Sequence, residues 1–141
     1  MTNVSLIVGK SEKAPLIRAD FSSDHAWAAL KAEASAPVGD FQANLEFIED
    51  RSLDGVEVKE LAEALEDYHE RSFVFLADHI SMTETGHPII CLDLFDGAGR
   101  TFRFISSQAW SVENNLSLGN MDFSDFVNSL DGSGVFRGFE K

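Results

Sequence analysis

Residues 73–76 read Phe-Val-Phe-Leu, an unbroken apolar run between Ser72 and Asp78. A run this short with polar ends is a buried strand, because a helix needs a longer repeat to bury one face. Comparable short runs recur at 16–19, 43–48, 89–95 and 101–105. In the second of these, Leu45 and Phe47 alternate with Asn44 and Glu46. Between the runs lie segments with helical spacing. Trp27, Leu30 and Ala34 share a face in 24–35, as do Val58, Leu61, Ala62 and Leu65 in 58–67. Phe123, Phe126, Val127 and Leu130 repeat the pattern most cleanly. The order is strand, helix, strand, helix, three strands and two helices. Residues 135–139 then form a closing strand or an aromatic tail.

Punctuation supports these limits. Ser22 and Ser23 offer caps for the first helix, and Pro37 and Gly39 end it. Asp54-Gly55 is a turn. Ser106 or Ser107 can cap a helix through Trp110 to Asn115, and Gly119 suits its exit. Asp122 caps the last helix, and Gly132 and Gly134 stop it. Early alternation implies crossover connections, whereas 89–105 reads as an antiparallel hairpin. The expected fold is α+β: one domain with a mixed five- to six-stranded sheet and about four helices. Residues 1–14 read as a tail or weak edge strand, and 15–141 as the domain.

Like-with-like pairing suggests a register for the hairpin. A three-residue loop, Gly97-Ala98-Gly99, sets Leu92 opposite Phe104 and Leu94 opposite Phe102. It predicts an Asp93–Arg103 cross-strand pair on the other face, with Gly99 in the left-handed position.

Charge narrows the function classes. The 141 residues hold 24 Asp and Glu against 11 Lys and Arg, a net charge of −13. Nucleic acid is excluded as a generic ligand, because phosphates demand a basic face. Anionic membrane surfaces are disfavoured too. The single cysteine, Cys91, forms no intramolecular disulfide and fits a reducing cytoplasm. No apolar run is long enough to span a membrane, and 1–9 lacks the basic start of a signal peptide. Sequons at Asn3 and Asn115 read as chance matches.

Several residue groups carry candidate chemistry. Between Glu46 and Glu70 there are ten acids and two bases (Arg51, Lys59), a net of −8. Glu60, Glu63, Asp67 and Glu70 would form a charged stripe on the second helix, either a docking face for a basic protein or an ordinary solvated face. Asp20, Asp50 and Asp78 each follow a strand. Parallel strands would gather them at one sheet edge, where they could hold Mg²⁺ or Ca²⁺, although Asp there is also turn and cap chemistry. His79 and His87 flank a loop at 80–86 without a recognised zinc spacing. His87 before Pro88 reads as extended. His25 and His69 read as surface residues, and Cys91 as a buried small apolar side chain. The segment 111–122 contains Asn114, Asn115 and Asn120. It reads as a structural corner between two helices, or as a ligand-recognition loop with Arg100 or Arg103 beside it. No cofactor is expected.

The chain also resembles an uncharacterised bacterial family known only as a domain of unknown function. The likeness runs through Pro15-Leu16-Ile17-Arg18-Ala19-Asp20-Phe21-Ser22, Trp27, the segments 44–50 and 72–78, Gly99-Arg100-Thr101-Phe102-Arg103, Trp110, 112–117, 120–123 and 134–139. It covers residues 15–139. The resemblance implies a single bacterial cytoplasmic domain and transfers no site.

Together these features lead to the expectation of a small non-enzymatic interaction domain, of immunity or regulatory type, meeting a basic partner through Glu60, Glu63 and Asp67. The rival readings are a small-molecule or metal-dependent enzyme using Asp20, Asp50, Asp78 and the arginines, and a DNA mimic. Dimerisation through a strand edge or Phe136 and Phe139 is left open by the pattern.

Overall fold

A computed structural model describes residues 4–9, 12–68, 71–95 and 99–139. Its six strands are β1 (Ala14–Arg18), β2 (Leu45–Ile48), β3 (Phe73–Ala77), β4 (Ile89–Asp93), β5 (Thr101–Phe104) and β6 (Val135–Phe136). They form one sheet in the order β2-β1-β3-β4-β5-β6. The β2-β1-β3 part is parallel, β3-β4-β5 is antiparallel, and β6 adds parallel to β5. The helices are α1 (Val4–Val8), α2 (Asp24–Ser35), α3 (Val58–Ala64), α4 (His79–Thr83), α5 (Ala109–Ser117) and α6 (Phe123–Val127). The mixed α+β architecture and the closing strand thus follow the sequence pattern.

Crossover geometry explains the layers. The chain moves from β1 to β2 in one direction and from β2 to β3 in the other. Right-handed crossovers then place α2 and α3 on opposite faces. One face buries Leu16, Phe75, Cys91 and Phe104 under Trp27 and Leu30 of α2, Val112 of α5 and Phe126 of α6. The other buries Ile17, Val74, Leu76 and Leu92 under Leu61 of α3 and Leu65 just beyond it, with Val4 and Val8 of α1. Covering on both sides is why β3 reads as an unbroken apolar run.

The helix ends are set by side chains. Ser23 Oγ accepts the Ala26 N–H at 3.0 Å and starts α2 at the expected residue. Asp122 Oδ1 accepts the Asp125 N–H at 3.1 Å and starts α6. That helix stops at Val127, three residues before the end of its apolar repeat, and Leu130 packs on the core from beyond it. Likewise α3 ends at Ala64, so Leu65 and Asp67 lie in the following turn.

Several expectations need correction. Residues 4–8, within the stretch read as a tail or edge strand, are helical and bury Val4 and Val8. The expected loop at 80–86 contains α4, which Asp78 caps by accepting the Ser81 N–H at 3.2 Å. His87 is left-handed, with φ 47°, rather than extended. The hairpin register differs most. Ile89 pairs with Phe104, Ile90 with Arg103 and Cys91 with Phe102. The Asp93 N–H donates to the Arg100 carbonyl at 2.9 Å, so the connection runs from Leu94 to Gly99. The physical reason is the two-sided core. Ile89 and Cys91 are as apolar as Ile90 and Leu92, so matching like with like does not choose a register. Arg100 supplies the charge partner for Asp93 instead, with Nη2 2.8 Å from Oδ2. Gly99 is left-handed, at φ 97°, as expected. Asp96, Gly97 and Ala98 lie outside the described residues.

Candidate functional site

The acidic helix is built by packing on one side only. Leu61 and Leu65 are buried against the sheet, which turns Glu57, Glu60, Glu63, Glu66 and Asp67 toward solvent. Glu60 also accepts the Glu57 N–H at 3.2 Å, closing the first turn. Within the described residues, no Lys, Arg or His nitrogen lies within 4 Å of these five carboxylates. Some acids elsewhere are compensated locally, whereas Asp40, Glu46, Asp54, Glu84, Asp122 and Asp125 also have no such nitrogen within 4 Å among the described residues. Asp24 pairs with Arg18, Glu49 with Arg18 and Lys31, Asp78 with Arg103, Asp93 with Arg100 and Asp131 with Arg137. Glu70, the last member of the expected stripe, and His69 lie outside the described residues.

At the carboxyl edge of the parallel strands, β1 delivers Asp20 and β3 delivers Asp78 and His79. Asp20 Oδ2 lies 2.6 Å from His79 Nδ1, and its Oδ1 accepts the Ser22 N–H at 2.7 Å. Burial pushes the Asp20 pKa up, but hydrogen bonds from Ser22 and His79 outweigh it, so the group sits below its ordinary 3.8. Asp78 behaves alike. Burial raises it, while Arg103 and Ser81 lower it further, to a net value below 3.8. Arg103 holds it through two bonds, of 3.0 and 2.7 Å. Asp50 turns instead to the chain that follows it, accepting the Ser52 N–H at 3.0 Å. The three carboxylates therefore meet three different sets of partners. Among the described residues, no group of three or more His, Cys, Asp or Glu is placed to hold a metal ion. An imidazole fixed through Nδ1 can exchange a proton through Nε2.

These two shifts predict an acid limit. Both folded-state pKa values lie below the unfolded value of 3.8. Their stabilisation is therefore complete above that pH and is lost as pH falls through the lower folded values. Thermal melting temperature should fall progressively as pH drops below about 4. Asp78→Asn should lower it at neutral pH and flatten that acid limb. An unchanged slope in the variant would remove Asp78 from the explanation.

The remaining candidates separate. Arg100 and Arg103 serve opposite sheet faces. Arg100 lies over the Phe123 ring at 4.7 Å, whereas Arg103 reaches Asp78 beyond β3. An odd sequence separation on a strand carries that signal. Asn114 donates to the Gln42 carbonyl at 3.1 Å and Asn115 to the Ser111 carbonyl at 2.8 Å. The Asn115 carbonyl receives the N–H groups of Asn120 and Met121. The Asn114 side chain therefore serves the chain before β2 and the Asn115 side chain serves α5 itself, while the Asn115 backbone carbonyl holds the α5–α6 corner. Asn120, rather than these two, shares a cleft with Arg100, Met121 and Phe123. His79 and His87 part company, since His87 Nδ1 donates to the Ser81 carbonyl at 2.9 Å. Cys91 is fully buried, and burial followed by Asp93 raises its pKa well above 9.0, which leaves the thiol unreactive.

The pattern of residues did not point to a second cluster on the same edge. Arg18, Phe21, Trp27, Lys31, Glu49 and Arg51 line one concavity where β1 and β2 end. Only the four-residue step from Trp27 to Lys31 was a legible part of it.

No helix among the described residues is long and apolar enough to cross a membrane. A comparison with curated proteins found no match. The family model for a domain of unknown function, DUF6924, matches residues 13–139, from just before β1 to just after β6. The chain accordingly belongs to the DUF6924 family.

Proposed function

We propose that this chain is a small non-enzymatic interaction domain of the bacterial cytoplasm, of immunity or regulatory type. It presents the outer face of α3 to a basic protein. The carrying observation is the clustering of unpaired carboxylates. The carboxylates of Glu57, Glu60, Glu63, Glu66 and Asp67 have no basic group within 4 Å among the described residues and fall together within 57–67, whereas the other unpaired acids are spread along the chain. Uncompensated charge of one sign steers an oppositely charged partner and raises its association rate. The acids lie on and immediately around one short helix rather than along a long face, which favours a protein partner over mimicry of DNA.

Charge reversal tests this reading. Glu63→Lys with Glu66→Lys should leave the far-UV circular dichroism spectrum unchanged, because both side chains are exposed and neither caps the helix. Affinity purification from the native host should then lose a basic protein that the parent chain retains. Equal recovery of that protein by both chains would overturn the proposal.

A further inference from the structure

Three of the eleven basic residues of this acidic chain, Arg18, Lys31 and Arg51, line one concavity with only two carboxylates, Asp24 and Glu49. The site therefore carries net positive charge within a chain of −13. It lies at the carboxyl ends of two adjacent parallel strands, where open sheets of this kind receive ligands.

Arg18 is built into the protein rather than laid on it. Its side chain is 4 % exposed. Nε donates to the Asp20 carbonyl at 2.9 Å and Nη2 to Asp24 at 2.9 Å. The guanidinium stacks 4.4 Å from the centre of the Phe21 ring. Arg51 is exposed and rests over the same ring at 5.0 Å. Among the described residues it has no carboxylate within 4 Å, so its donors face solvent. Lys31 lies 5.5 Å from the Trp27 ring. Aromatic rings thus fix all three cations in place; Asp24 offsets Arg18, while Arg51 keeps its charge unpaired among the described residues.

Glu49 occupies this cradle. It accepts the Trp27 indole N–H. Its Oε1 lies 3.6 Å from Arg18 and 3.7 Å from Lys31, both longer than a good charge-assisted bond. A carboxylate set between two cations without closing on either is an internal anion in a space that accepts a stronger one. We propose that the Arg18–Lys31–Arg51 cradle binds a phosphoryl group, either inorganic phosphate or the phosphate of a small metabolite, and that Glu49 competes with it. A tetrahedral dianion offers more acceptor oxygens and more charge to three cations than one carboxylate does. The site is separate from the α3 face, so the two proposals stand or fall independently.

The test is a titration of the intact chain, followed by NMR at the Trp27 indole N–H and the Arg51 Nε–H. Inorganic phosphate, glycerol phosphate and sodium chloride of matched ionic strength are the three probes. The expected result is a saturable shift with at least one phosphate probe and none with chloride. A preference for glycerol phosphate identifies a metabolite, and equal response identifies the free anion. Arg51→Ala should weaken binding about tenfold, the loss of one charge-assisted contact. Glu49→Gln keeps an acceptor for the indole and should tighten binding. No saturable shift with either phosphate probe, or binding that Arg51→Ala leaves unchanged, would overturn the proposal.

Discussion

Replacing Phe126 by alanine is expected to cost about 3–5 kcal/mol, the range for removing a buried aromatic ring. Phe126 is fully buried and joins α6 to the sheet and to the chain end. Its ring stacks on Phe102 at 5.6 Å, meets Phe136 edge-on at 5.0 Å and touches Phe139 at 5.4 Å. Phe102 in turn meets Phe123 at 4.9 Å. The vacated space is bounded by rigid rings, which collapse into a cavity less readily than flexible side chains. Small domains have a total stability of only about 5–15 kcal/mol. Chemical denaturation should therefore show a large drop in midpoint, and Phe126→Leu should recover much of it. A Phe126→Ala midpoint near that of the parent chain would show that α6 is not part of the cooperative core.

Removing the Glu113 carboxylate should have the second-largest effect. Glu113 is 5 % exposed, although it is acidic and lies on a helix. Oε1 accepts the Asn44 N–H at 2.6 Å and the Asn114 side-chain amide at 3.0 Å. Oε2 accepts the Ser117 hydroxyl at 2.6 Å. The first bond spans 69 positions and ties α5 to the chain entering β2. Glu113→Ala removes three hydrogen bonds to one buried carboxylate, including the tether to Asn44, and should cost about 3 kcal/mol. Glu113→Gln retains an acceptor and should cost about half of that. Hydrogen exchange supplies a local readout. The Asn44 amide should lose protection in the alanine variant while the centre of β3 changes less. Equal loss across both sites, or none at Asn44, would contradict a local tether.

Local chemistry made part of this legible. The α2 limits follow from Ser23 before it and Pro37 after it, and the apolar positions on α2 and α6 report the faces that pack. The mixed sheet follows from short strands that alternate first with helices and then with turns. The hairpin register did not follow, because a strand covered on both faces is apolar at every position. The polar ends then decide, and two arginines, Arg100 and Arg103, compete for one aspartate, Asp93. The α4 helix escaped notice because five residues hold no full apolar repeat. Its signal was the cap, Asp78 followed three residues later by Ser81.

Site residues divide along the same line. The acids of and around α3 recur about every three residues in one short segment, so their shared face was visible. The cationic cradle draws on β1, α2 and the end of β2, so proximity emerges only once the β1–β2 pairing is known. Asn114 and Asn115 were conspicuous for their chemistry, and their amides prove to be spent on the backbone carbonyls of Gln42 and Ser111.

The most direct test of the α3 docking face is amide hydrogen exchange on the purified chain, alone and with the basic protein it retains. Slowed exchange across residues 57–67 on complex formation is the predicted result. Slowed exchange confined to other surfaces, with 57–67 unchanged, would contradict it.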